Sequence, residues 1–223
     1  VEQRTDPGLY DYWPYENRPK ITWPNGAKVA FWVAPNIEFY ELQPPHLAAR
    51  PAWPRPEPDV LAYSLRDYGN RAGHWRMMDV MDKYGVRGSV SLNVAVCEHH
   101  PEIIEACADR NWEFFSHGIY NTRYCYGMSE DDERRIIADA FETVERFTGQ
   151  KISGWLAPAL THTHSTMDLL AEAGIRYTCD LFCDDQPQPV NVRNGRLISV
   201  PYSLEMNDII VYNVSNQSPR RYA

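Results

Sequence analysis

Trp112-Glu113-Phe114-Phe115-Ser116-His117-Gly118 is a short apolar run that ends in residues able to do chemistry, and the same design recurs along the chain. Ala30-Phe31-Trp32-Val33-Ala34 leads into Asn36 and Glu38, Ser89-Val90-Ser91-Leu92 into Asn93, and Ile152-Ser153-Gly154-Trp155-Leu156 into Pro158. Ile175-Arg176-Tyr177-Thr178 leads into Asp180, and Leu197-Ile198-Ser199-Val200 into Tyr202 and Glu205. Polar groups gathered at strand carboxyl ends are how alternating strands and helices build an active site. The pattern implies an α/β fold that carries an enzyme site.

Between the runs lie helical patterns. Trp75, Met78, Met81 and Tyr84 recur at helical spacing before Gly85, and Pro101 opens a run carrying Ile103, Ile104 and Cys107. Ser129 followed by Asp132 resembles a capping box, and Ile137, Phe141, Val144 and Phe147 form a stripe that stops at Gly149. Ser165 is expected to cap a fourth helix through Met167, Leu169, Leu170 and Ala173. Units at this spacing predict a mainly parallel sheet with right-handed crossovers.

The expected architecture is a distorted (β/α) barrel of about seven strands over residues 27–214, incomplete at its C-terminal end, because an eightfold barrel usually needs about 250 residues. Its first strand is placed at 27–34. Residues 1–26, with Pro7, Pro14, Pro19 and Pro24, are expected to form an irregular arm, and 215–223 an exposed loop-like tail. Pro44, Pro45, Pro51, Pro54, Pro56 and Pro58 rule out a helix or inner strand from Leu42 to Pro58, so a long loop is expected there, a candidate lid or subunit contact.

With 223 residues the chain fits one domain, and 43% apolar residues with seven Trp and fourteen Tyr suffice for one large core and aromatic pocket walls. A formal charge of -8, with no Lys/Arg run longer than two residues, argues against nucleic acid or an anionic membrane as partner and suits a small neutral molecule. Cys97, Cys107, Cys125, Cys179 and Cys183 are scattered and odd in number, which speaks against a disulfide framework or zinc knuckle and for a reducing, cytoplasmic setting. No apolar stretch reaches a membrane span, and no basic-then-apolar leader is expected ahead of Val1.

Amide hydrolysis needs an activated water, a base, donors for the oxyanion and an acid for the leaving nitrogen. Glu38 is the leading base, its carboxyl expected to be raised by partial burial; the alternative is a solvated loop carboxylate. His117 can be a metal ligand or general acid, and Gly118 beside it is expected to let a substrate approach the backbone; the alternative is a satisfied structural histidine. His99 and His100 read as a helix start, and His162 and His164 as a helix-entry loop, not a zinc site. Asp180 and Asp184, then Glu205, Asn207 and Asp208, follow later strands and are expected to reach a shared mouth.

The ordered set Asn36-Ile37-Glu38, Tyr68-Gly69-Asn70-Arg71-Ala72-Gly73-His74-Trp75-Arg76, Ser91-Leu92-Asn93, Phe115-Ser116-His117-Gly118, Gly154-Trp155-Leu156-Ala157-Pro158 and Val200-Pro201-Tyr202-Ser203-Leu204-Glu205-Met206-Asn207-Asp208 resembles the polysaccharide deacetylase superfamily. Within it, the chain is similar to the branch of allantoinase-like and related cyclic-amide hydrolases. The resemblance implies a distorted, often seven-stranded (β/α) barrel.

It also exposes departures. Where sugar deacetylases of the family carry two adjacent aspartates, this chain has Glu38 and Phe39; their His-x-x-x-His metal pair is matched by His117 and Asn121. The family's arginine before a proline-containing turn is matched by Leu156, and the late leucine-x-histidine motif that supplies an acid has no counterpart. Of the implied divalent metal, such as zinc, His117 would be the remaining ligand, with Glu38 as a second; with an incomplete ligand set the cofactor expectation is none or a weakly held metal.

The leading expectation is therefore a hydrolase of carbon-nitrogen bonds other than peptide bonds, acting on a small cyclic amide or ureide. Glu38 would activate water, while His117 and Asn121 polarise the carbonyl and Asp180 assists. Asn36, Asn93, Trp155, Pro158, Asp184, Tyr202, Glu205 and Asn207 would line the substrate. The alternatives are a metal-dependent N-deacetylase of an amino sugar and a catalytically silent binding member. A homo-oligomer, whose neighbour covers the open side of the barrel, is expected.

Overall fold

The computed structural model describes residues 8–45 and 57–222. The start of the expected arm (1–7) and the middle of the proline-rich stretch (46–56) lie outside the described residues.

Seven strands are found among the described residues: β1 (Asn36–Ile37), β2 (Ser89–Leu92), β3 (Glu113–Ser116), β4 (Gly154–Trp155), β5 (Tyr177–Thr178), β6 (Gln188–Val190) and β7 (Leu197–Ser199). They form one sheet in the order β1-β2-β3-β4-β5-β7-β6, parallel throughout except for β6 against β7. The sheet is open, with β1 and β6 at its edges. Between the strands run α1 (Val60–Tyr68), α2 (His74–Tyr84), α3 (Val96–His99), α4 (Pro101–Asp109), α5 (Glu130–Thr148) and α6 (Thr166–Glu172). A π-helical turn, Gly69–Gly73, joins α1 to α2. None of the described helices is long and apolar enough to cross a membrane.

Because side chains alternate across a strand, each strand builds two layers. Ile37, Leu92, Phe114, Trp155 and Leu197 face the helices and join Met78, Ile104, Ile137, Val144 and Leu169 in the main core. Truncating one of these, Leu92→Ala for example, costs about 2–5 kcal/mol through lost burial and a residual cavity. On the other face Phe115, Leu156 and Cys179 form a second cluster, with Trp32, Ala34, Tyr177, Val200 and Tyr202 against it. Continued by two residues, those inner rows arrive at Asn36 and Glu38, Asn93, His117, Pro158 and Tyr202 at the carboxyl end of the sheet.

Several expectations need correcting. The first strand is not 27–34. Pairing begins with a single Val33–Gly88 bridge and becomes a strand at Asn36–Ile37, while Val29 and Phe31 are 76% and 78% exposed. As an edge strand, β1 is paired only with β2, and the apolar run before it remains uncovered. The strand at Gln188–Val190 was hidden from the sequence reading by Pro189, which lacks a ladder donor and is tolerated because β6 is an edge. The helix expected around Trp75 begins earlier, at Val60, where the Asp59 carboxylate accepts from Ala62 N at 3.0 Å.

The third expected helix stands as read, with Ser129 Oγ accepting from Asp132 N at 3.2 Å and Gly149 left-handed at φ 69°. Ser165 occupies the cap position of α6, but its hydroxyl donates to Glu130 at 2.7 Å and caps nothing. The tail is not wholly loop, because Pro219–Tyr222 forms a short helix, α7. The described part of the arm is tied along β6: Asn191 N donates to Leu9 O at 2.8 Å, and Arg18 pairs with Asp185 at 2.6 Å and with Asp184.

Candidate active site

Glu38 and His117 belong to strands that are not neighbours, since β2 runs between β1 and β3. Asn93, just past β2, closes the gap from below. Its Oδ1 accepts from Phe39 N at 3.0 Å and its Nδ2 donates to the His117 carbonyl, so both ends of a wholly buried amide hold the two functional segments. Asn93 is thus a brace under the site and not a substrate contact, because the whole side chain is enclosed.

His117 Nδ1 faces the Leu156 carbonyl at 2.8 Å and must carry a proton there, since a carbonyl only accepts. The titrating nitrogen is Nε2, 3.5 Å from Glu38 Oε1. Burial alone would lower the imidazole, yet the hydrogen bond and charge of Glu38, with the Leu156 carbonyl and Asp180, outweigh it and raise His117 above its ordinary value. Glu38 behaves conversely. Burial pushes the carboxyl up, but His117, the Arg66 charge and the Tyr40 hydroxyl outweigh it, and the net direction is down. The expected rise is corrected: Glu38 is a carboxylate facing an imidazolium.

Asn121 Nδ2 donates to Glu38 Oε2 at 3.2 Å and to the Tyr40 hydroxyl, while its Oδ1 is buried without a hydrogen-bond partner. The sequence reading missed Tyr40 and Arg66. Tyr40 lies two residues after Glu38 and so shares its side of the chain, a usable signal. Arg66, whose guanidinium lies 5.3 Å from the Tyr40 ring centre, arrives from α1 and has no local signature.

The residues present do not fit a metal ion. His117 and Glu38 face one another, the second imidazole is the amide of Asn121, and Phe39 turns away into stacking contact with His99 at 4.1 Å between ring centres. Among the described residues no group of three or more His, Cys, Asp or Glu is gathered that could hold one.

Gly118 has φ +68°, and a Cβ there would lie 2.7 Å from Pro158 Cγ. The glycine makes room for the Pro158 ring. From the same stretch, the Leu156–Ala157 peptide group accepts from His117 on its oxygen and donates from its nitrogen to Asp180 Oδ1 at 2.7 Å. Asp180 Oδ2 takes Thr178 Oγ1 at 3.0 Å and His162 Nε2 at 2.9 Å. With its carboxylate wholly enclosed, Asp180 acts from behind the site and touches no substrate.

Tyr202 receives Asn36 Nδ2, and Asn207 Nδ2 at 3.3 Å. Burial, offset by Asn36 and reinforced by the Glu38 charge, pushes its hydroxyl up to about 12, so it stays neutral. These three form one hydrogen-bonded polar group. Three other expected contacts lie elsewhere. Trp155 is 2% exposed in the helix-facing core, because β4 alternation turns Leu156 and not Trp155 inward. Asp184 is engaged by Arg18, Gln186 N and Gln188 Nε2 and clamps the arm. Glu205 stands exposed on the turn Leu204–Met206.

The polysaccharide deacetylase family profile matches residues 55–178, more than half of the chain. Three solved structures are similar. A protein assigned to the polysaccharide deacetylases from Mycobacterium smegmatis shares 27% identity at TM-score 0.66, over 85% of this chain and 64% of that one. The PuuE allantoinase shares 25% at TM-score 0.72, over 95% and 72%. A protein assigned to the same family from Pseudomonas aeruginosa PAO1 shares 25% at 0.74, over 93% and 73%. The chain thus spans about two thirds to three quarters of the length of these relatives. No curated protein matches it.

Proposed function

For a chain that belongs to the polysaccharide deacetylase family, we propose hydrolysis of a carbon-nitrogen bond other than a peptide bond, in a small cyclic amide or ureide. The observation that carries this is the Glu38–His117 pair, a carboxylate and an imidazolium 3.5 Å apart at the carboxyl end of the inner strand rows. A carboxylate can take a proton from water at neutral pH without first losing one of its own. The His117 Nε2–H can polarise a carbonyl and hold the oxyanion formed from it, while Asn121, whose two N–H groups go to Glu38 and Tyr40, orients the carboxylate. Asn36, Tyr202 and Asn207 offer neutral donors and acceptors to the polar edge of a ureide. Likeness to the PuuE allantoinase supports the substrate class, as does a donor set that does not fit the metal a sugar deacetylase uses.

The test is turnover of racemic allantoin, hydantoin and acetylated chitooligosaccharides by the wild-type protein and by Glu38→Gln. Ring opening of a cyclic substrate that disappears in the variant supports the reading. Deacetylation alone, dependent on added zinc, replaces it with the N-deacetylase. No turnover on the panel leaves a silent binding member, the reading that Phe39 and Leu156 favour.

A further inference from the structure

We infer that His162, backed by the buried carboxylate of Asp180, is the proton donor to the leaving nitrogen. The inference rests on the hydrolase reading above and fills the one role that Glu38, His117 and Asn121 leave open. The family resemblance offers no late histidine for it, and His162 sits in another part of the chain, the connection from β4 to α6 at the carboxyl end of the sheet.

Three features build this histidine into the site. Its segment is bound to the His117 segment: Leu156 O takes His117 Nδ1 at 2.8 Å, the Pro158 ring fills the space over Gly118, and Ala157 N reaches Asp180 at 2.7 Å. The loop itself is pinned on both sides of His162. Thr161 Oγ1 accepts from Cys125 N at 3.1 Å and donates to Pro158 O at 2.9 Å, and Thr163 Oγ1 donates to buried Glu133 at 2.7 Å. Finally, Asp180 fixes the ring through Nε2 at 2.9 Å, which leaves Nδ1 as the free nitrogen of a side chain still 21% exposed. A ring so held by one nitrogen and open at the other has the geometry of a general acid.

Charge favours the acid form. Burial lowers His162, but Asp180, by hydrogen bond and charge, and Glu133 of α5, by charge, outweigh it and raise it above its ordinary value. In the step assigned to it, water has added to the carbonyl carbon and given its proton to Glu38. The C–N bond breaks, its electron pair stays on nitrogen, and that nitrogen takes the proton from His162. The oxyanion re-forms the carbonyl as that bond breaks, the neutral imidazole regains a proton from solvent, and Glu38 gives up to solvent the proton it took.

Two measurements on the whole protein test this. Nitrogen-edited imidazole NMR, which needs no substrate, is expected to show His162 titrating above the ordinary 6.5 in the wild type and lower in Asp180→Asn, or in Thr178→Val should that variant fail to fold. A wild-type His162 titrating at or below 6.5 overturns the inference by itself. In turnover, His162→Gln is expected to slow the best cyclic amide about 100-fold or more while changing 4-nitrophenyl acetate hydrolysis, whose phenolate leaves without a proton, less than about threefold. Equal losses on both substrates, or no loss on the amide, also overturn it. A wild type inactive on every amide sinks the hydrolase reading instead, and is read before any variant is made.

Discussion

Glu38 and His117 meet at 3.5 Å across an intervening strand, and the residue of that strand which holds them there, Asn93, is itself wholly buried. Strands two apart lie about 9.6 Å from one another, so the two side chains lean together over β2, and the Asn93 amide sets the span. The pair is therefore a property of the fold and not of either loop.

Replacing either partner should abolish chemistry and leave the fold. Glu38→Gln and His117→Ala are each expected to lower kcat about 100-fold to 10,000-fold with the far-ultraviolet circular dichroism unchanged. Full turnover in both would remove the pair from the mechanism.

Stability should carry the signature of the pair in its pH dependence. Glu38 is lowered from its ordinary 4.5, so its contribution is complete above 4.5 and lost as pH falls through the folded value. His117 is raised from 6.5, so its contribution is complete below 6.5 and lost as pH rises through the folded value. Both are fully present between 4.5 and 6.5. The difference in Tm between the wild type and Glu38→Gln should peak in that window and shrink on both sides; a difference flat from pH 3 to 9 contradicts the pairing.

Asn93→Ala strands two partners, the part-buried Phe39 N–H and the buried His117 carbonyl. At roughly 1–3 kcal/mol for each group left unsatisfied, urea unfolding should show a loss of about 2–6 kcal/mol. Turnover should fall as well, although Asn93 never meets the substrate. A loss under about 1 kcal/mol would mean that the brace is not holding.

Gly118 and Gly127 provide an internal control. Both are left-handed, at φ +68° and +65°, but a Cβ on Gly127 meets nothing within 4 Å while one on Gly118 strikes Pro158. Gly127→Ala should cost about 1–2 kcal/mol, the conformational part alone. Gly118→Ala should cost more than Gly127→Ala and also lower kcat, since Pro158 belongs to the segment that receives His117 Nδ1. Equal costs would show that the Pro158 contact is relieved without effect.

Much of this was legible because inner strand rows alternate and end in polar residues; Glu38, His117 and Asn121 follow from that rule, as does α5 from Ser129 and Gly149. What escaped depends on relations that no window of sequence contains. Val29 and Phe31 have the hydrophobicity of a strand but not its neighbours. Arg66 reaches the Glu38 charge from a helix after the proline-rich stretch. The direction of the Glu38 shift turned on a partner 79 residues away, His117, where burial alone points the opposite way. His162 stands in the helix-entry loop where it was expected; what that reading left out is that in Thr161-His162-Thr163 the threonines anchor the loop on both sides of the ring.

The Leu156–Ala157 peptide group, which binds His117 on one side and Asp180 on the other, also changes what sequence variation at this strand can mean. Its contribution comes from main-chain atoms that nearly every amino acid possesses, so the identity of residue 156 is free to drift as long as the side chain fits against Phe115 and Cys179. Proline at 157 is the exception, since it deletes the N–H itself. A scan of all residues at the two positions should find apolar replacements at 156 silent and Ala157→Pro among the most damaging. Leucine in place of the family's arginine would then record a change in which atoms do the work, and not by itself a decay of the site.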